Sequence, residues 1–232
     1  MSFSSTQEIE KELFALEDKE YAAFDARLTN TRYPLIGVRK PQLVALARRI
    51  VKGDHRTFLA QPFTYFEHHL LRGAVSALCK ASEEEHVRLF YDYVGYIDDW
   101  EACDLTACRY NAATESYYAA MCALLHDERE FAVRFGLVAL MHNFAGRVEW
   151  SARLVQDVKS LSHQGYYVKM AAAWLLSVVW LADKAPVLAF LQDTAQDRQT
   201  RLTAIGKLLD SYRVREEDKP MLRALRGRIR AE

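Results

Sequence analysis

The sequence predicts an all-α fold, organised as an α-solenoid of stacked helical repeats. Apolar positions recur at spacings of three and four rather than two, and chain breakers are sparse, with nine Gly and five Pro in 232 residues. The helical segments also pair at a period of roughly 35–40 residues. Reading from the start, Ser5 followed by Glu8 has the spacing of a capping box. It predicts a helix to about Arg27 with Leu13, Leu16, Ala23 and Phe24 near one face. A loop from Asn30 to Lys40 holds Pro34 and Gly37, and Pro41 suits the first turn of a helix reaching about Lys52. Phe63–Lys80 follows, then Ser82–Val94, whose Ser82 and Glu85 form a second capping box. Asp99–Cys108, Ala112–Leu125, Glu128–Phe144, Val148–Ser160 and Tyr166–Ala182 carry the pattern onward. Ala185–Thr194, Gln199–Ser211 and Glu216–Arg228 complete it.

No Ser/Gly/Pro-rich linker divides these segments, so a single domain over residues 1–232 is expected. Stacked helix pairs of the HEAT or armadillo kind curve, and their second helices line a concave groove able to follow an extended partner. Half of the residues are hydrophobic, ample for a continuous core. The 31 basic and 31 acidic side chains cancel, which argues against a strongly basic nucleic-acid binder and leaves any such surface to local segregation of charge. Met1 to Ser5 shows no charged leader followed by an apolar run, and Met170 to Ala182 is too short to span a bilayer, so a cytoplasmic protein with no membrane contact is expected. Cys79, Cys103, Cys108 and Cys122 contain no Cys-x-x-Cys pair, and no structural metal is expected. The His68–His69 pair reads as imidazoles of the surface or core.

The chemistry-bearing residues centre on Trp100-Glu101-Ala102-Cys103-Asp104, where an indole and a carboxylate four residues apart share a helix face. With Arg134 and Trp174 further along, the chain holds an anion, a cation and two aromatic faces, a set suited to a flat cationic ligand such as an alkylated base. Four motifs run in order: Ile36-Gly37-Val38-Arg39-Lys40-Pro41-x-Leu43, Tyr96-Ile97-Asp98-Asp99-Trp100-x-x-Cys103-Asp104, Val133-Arg134-Phe135-Gly136, and Tyr166-Tyr167-Val168-Lys169-Met170-x-x-Ala173-Trp174. Together, over about Glu8 to Arg213, they resemble the DNA alkylation repair family of HEAT-like-repeat DNA glycosylases.

That resemblance implies a monomeric enzyme that needs no metal or other cofactor. It would cut the N-glycosidic bond of cationic alkylated bases, such as 3-methyladenine or 7-methylguanine, in double-stranded DNA. It further implies Asp104 as the catalytic carboxylate, Trp100 and Trp174 as aromatic residues beside the lesion, and Arg134 as a contact to the DNA backbone. Such a groove would hold the duplex by its backbone, without a deep base pocket. Arg39, Lys40, Lys169, Lys207 and Arg213 are candidate phosphate contacts, with Arg39 and Lys169 inside matching motifs.

Structural readings stand beside these. Trp100 and Trp174 also suit packing between helices, Asp104 suits a first helical turn, and Arg134 suits a pair with Glu130. Asp98 and Asp99 suit helix capping, or a carboxylate role in place of Asp104. The segment after Asp104 reads Leu105-Thr106-Ala107-Cys108-Arg109-Tyr110, where many relatives carry a Pro and more Lys. A non-catalytic DNA-binding helical-repeat protein and a protein-interaction solenoid are the competing functions, the second favoured by the zero net charge.

Overall fold

A computed structural model describes residues 6–232 and contains fourteen α-helices and no strand among them. The Ser5 cap and the reading of the first five residues lie outside the described residues. The chain divides into two compact units, Met1–Tyr110 and Asn111–Glu232.

The first unit holds α1 (Thr6–Ala15), α2 (Lys19–Asp25), α3 (Lys40–Ile50), α4 (His55–Leu59), α5 (Phe66–Leu78), α6 (Glu83–Tyr93) and α7 (Trp100–Ala107). The long first helix expected from the sequence is therefore two. Asp18 ends the run because its carboxylate accepts the Tyr21 N–H at 2.9 Å and so caps a new helix, while its own N–H bonds the Gly37 carbonyl at 3.0 Å. Helix α4, absent from the sequence reading, is a five-residue turn capped by Asp54, too short to register as a periodic pattern. Ser82 caps α6 through the Glu85 N–H as its spacing indicated.

Helix α5 is the axis of this unit. Phe66 through Ala77 are all buried, and the helix packs against α3, α6 and α7. Gly73 permits that packing: a Cβ there would lie 1.9 Å from Thr106 Oγ1 and 2.6 Å from the Tyr93 ring. The buried Tyr93 hydroxyl donates to the His69 carbonyl at 3.0 Å, tying α6 to α5.

The second unit contains α8 (Glu115–Ala123), a 3-10 turn at Leu124–His126, α9 (Glu130–Phe144), α10 (Val148–Lys159), α11 (Tyr166–Ala182), α12 (Lys184–Gln192), α13 (Arg198–Asp210), a second 3-10 turn and α14 (Lys219–Ala231). The expected start of α8 at Ala112 moves to Glu115, because the Thr114 side chain accepts the Tyr117 N–H at 3.1 Å. Helix α11 is the counterpart of α5 and packs against α9, α13, α10 and α12. Arg201, only 1 % exposed, closes the far end: it donates to the Leu191 carbonyl and forks onto the Glu232 carboxylate at 2.6 and 3.1 Å. Among the described residues, no helix is long and apolar enough to cross a membrane.

Candidate functional site

Helix α7 begins at Trp100 because Asp99, fully buried, accepts the Glu101 N–H at 2.7 Å with one carboxylate oxygen. Its other oxygen accepts the Asn30 N–H at 2.9 Å. The neighbouring Asp98 accepts from Thr31 Oγ1 and the Arg32 N–H, both at 2.9 Å. The two acids thus fasten the 30–32 loop to the start of α7. Asp104, fifth in the helix, is not its cap.

Along α7, Glu101, Ala102 and Cys103 are buried while Trp100 and Asp104 stay half-exposed. One turn apart, indole and carboxylate share a face, as the spacing requires. The indole is fixed at its edge, Nε1 donating to the Leu28 carbonyl at 3.1 Å.

Beneath Trp100 lies a cluster absent from the sequence reading. Lys40, at the start of α3, places its ammonium 3.2 Å from Glu101 Oε1 and 5.5 Å from the centre of the Trp100 ring. Glu101 is 2 % exposed, and Asp25, 5 % exposed, lies within hydrogen-bonding reach of it. Burial is the main reason that the Glu101 carboxyl is pushed up to about 7; the nearby Asp25 adds to the rise and Lys40 opposes it. Burial likewise raises Asp25, again against Lys40. Burial thus favours the protonated form of both carboxyls, and the Lys40 ammonium opposes it. Burial and the same carboxyls push the Tyr21 phenol up to about 12.

The Ile36-Gly37-Val38 motif has its own anchor. Glu67 of α5, 2 % exposed, accepts the N–H groups of Ile36 at 3.0 Å, Gly37 at 2.6 Å and Val38 at 3.2 Å. Gly37 adopts φ +93°, and a Cβ there would sit 2.3 Å from the Asp18 carbonyl. The loop thereby delivers Arg39 and Lys40 to the head of α3. Arg39 turns to Asp18 at 2.8 Å and lies 5.0 Å over the Tyr21 ring.

In the second unit, Arg134 of α9 is 6 % exposed and donates to the Tyr167 carbonyl at 3.1 Å. The expected Arg134–Glu130 pair takes another form. Glu130 Oε1 accepts the Tyr167 N–H at 2.6 Å, so both side chains grip the first turn of α11 rather than lie along the surface of α9. Trp174 of α11 is half-buried, while Trp180 of the same helix is 2 % exposed. Lys169 pairs with Asp197 at 2.8 Å. Lys207 is half-buried on α13, and Arg213 is exposed just beyond it. Trp100, Asp104 and Lys40 are therefore together in the first unit, and Arg134 and Trp174 stand on packed neighbouring helices of the second.

Asp25, Glu101, Glu67 and Tyr21 escaped the sequence reading because acids on helices read as solvated faces and a lone tyrosine as packing. A usable signal was Glu101 itself, an acid locked between residues of a motif. Among the described residues, no group of three or more His, Cys, Asp or Glu side chains is placed to hold a metal ion.

The chain is all-α, and its first unit sets a tryptophan and an aspartate one turn apart on α7 beside the Lys40–Glu101 pair. The model of one family, DNA alkylation repair enzyme, matches residues 9–208, and the chain belongs to that family. No curated protein and no solved structure matches the chain.

Proposed function

We propose that this chain is a DNA glycosylase that removes cationic alkylated bases, such as 3-methyladenine or 7-methylguanine, from duplex DNA without a metal. The reading takes the helices as one HEAT-like solenoid domain, a cytoplasmic monomer whose concave groove receives the DNA. The observation that carries it is the half-exposed Trp100–Asp104 pair on α7, in a chain of the DNA alkylation repair enzyme family.

The chemistry follows from charge. A base alkylated at a ring nitrogen is already positive, so when its bond to C1′ breaks the electron pair neutralises the base and positive charge develops on the sugar. The Asp104 carboxylate stabilises that developing cation and orients a water whose oxygen bonds C1′, taking up the proton the water releases. The Trp100 and Trp174 faces attract the cationic base or sugar, each contact worth about 0.5–2 kcal/mol. In this reading Arg134 contacts the DNA backbone, and Arg39, Lys40, Lys169, Lys207 and Arg213 contribute phosphate contacts.

The test is release of methylated bases from alkylated duplex DNA by wild type and Asp104→Asn. Release by wild type that the variant loses, with its helical signal intact, supports the reading. Full activity in the variant removes Asp104 from the chemistry, and absence of release by folded wild type removes the enzyme. A second reading, a helical-repeat scaffold for a protein partner, is favoured by the ion pairing of Arg39 with Asp18, Lys40 with Glu101 and Lys169 with Asp197, which draws these cations toward acids of the same chain. Duplex binding that weakens steeply with salt would exclude it.

A further inference from the structure

A cavity of about 480 Å³ opens in the first unit between the 59–63 segment, α5 and Tyr96. Its walls include the rings of Tyr33, Phe63, His69 and Tyr96 and the guanidinium of Arg72. Flat surfaces predominate. Tyr33 stacks on the His69 imidazole at 3.8 Å, Phe63 meets it edge-on at 5.9 Å, and the Tyr96 ring lies 6.2 Å away on a tilt. Such walls select a π system.

Arg72 decides the charge of that π system. Its guanidinium lies 4.1 Å from the Tyr96 ring centre and 5.4 Å from that of Phe63, so the place a cation would take over these rings is already filled. Its other contact is Asp92, at 2.8 Å. Among the described residues that line the cavity there is no carboxylate to draw in a second cation.

His69 decides the polarity. It is 4 % exposed, and neither ring nitrogen has a hydrogen-bond partner. A buried polar group without a partner is destabilising, and a ligand carrying an in-plane donor or acceptor would offset that cost. Burial holds the imidazole neutral at physiological pH, so it offers one donor and one acceptor.

The geometry points to a binding pocket for an uncharged nitrogen heterocycle of nucleoside size, stacked on the Arg72 guanidinium that covers the Tyr96 ring and hydrogen-bonded by His69 once the Tyr33 ring gives way. The cavity volume lies within the range of small-molecule sites. The pocket is distinct from the Trp100–Asp104 face proposed for cationic lesions and stands whether or not the protein excises bases.

The test titrates the full chain with 2′-deoxyadenosine and, as a charge control, with 1-methyl-2′-deoxyadenosine, which is cationic at neutral pH. Aromatic-ring NMR shifts of Tyr33, Phe63 and Tyr96 are followed. We expect saturable shifts at millimolar nucleoside, with the cation about tenfold weaker or more. Tyr96→Ala and His69→Phe should each weaken deoxyadenosine about tenfold. The Phe variant keeps a ring in place and removes only the unpaired nitrogens, and far-ultraviolet circular dichroism checks that it folds. Absence of saturable shifts, equal binding of the cation, or undiminished binding in both variants overturns the inference. Nucleoside binding by a protein that releases no base upholds it while removing the excision reading.

Discussion

Lys40 and Glu101 form an ion pair of 3.2 Å in which the carboxylate is buried and the ammonium also faces the Trp100 ring. The pair joins the head of α3 to the first turn of α7, so the tryptophan proposed to meet the lesion is set over a neutralised acid.

Removing the cation should move the proton. Lys40 holds Glu101 down against burial, so Lys40→Met should raise the Glu101 midpoint above about 7. Carboxyl-carbon NMR across the titration reads it directly; an unchanged or lower midpoint would show that the ammonium does not govern the acid.

Stability should carry the mark of the same cluster. Glu101 and Asp25 bind their proton more tightly folded than unfolded. Their contribution is therefore complete below the ordinary carboxylate range and is lost as pH rises, for Glu101 between 4.5 and about 7. Urea unfolding of Glu101→Gln, whose neutral amide mimics the protonated acid, should show a flatter pH dependence over that window.

The buried imidazoles work in the opposite direction. Burial lowers His68 and His69 to about 4, so their contribution is present above 6.5 and disappears as pH falls through about 4. In His68→Phe the acid limb of the stability curve should be shallower. An unaltered limb would mean that burial does not lower His68 in the folded protein.

Gly73→Ala should be among the most destabilising small substitutions, because its Cβ would press on Thr106 and Tyr93 where α5 meets α7 and α6. Overpacking of this kind costs about 1–3 kcal/mol or more. Gly146→Ala, where the new Cβ meets nothing within 4 Å, is the control. Thermal unfolding of the two should separate them clearly.

For the proposed reaction, Trp100→Ala should lower kcat/KM for base release by about 2- to 30-fold, the rate equivalent of one lost cation–π contact. Single-turnover kinetics on alkylated duplex DNA measure it. A rate equal to wild type would assign Trp100 to packing alone.

Much of the helical order was legible because long amphipathic segments such as α3 and α10 announce themselves by period, and because Ser82 and Asp99 cap where their spacing says. The break at Asp18 was hidden, since it depends on a carbonyl nineteen residues on at Gly37. The site divided in the same way. Trp100 and Asp104 are neighbours by helical geometry alone, whereas Asp25, Lys40 and Glu101 meet only through tertiary packing. Arg134 shows the limit of local spacing, because the backbone of Tyr167 claims both it and Glu130.

Glu67 receives the amides of Ile36, Gly37 and Val38, so part of the wording that marks this family is written by the closure of a loop on a carboxylate. Asp104 takes no part in those bonds. The motif loop and the proposed carboxylate therefore rest on separate contacts, and a change of chemistry at Asp104 need not disturb the anchor of the loop.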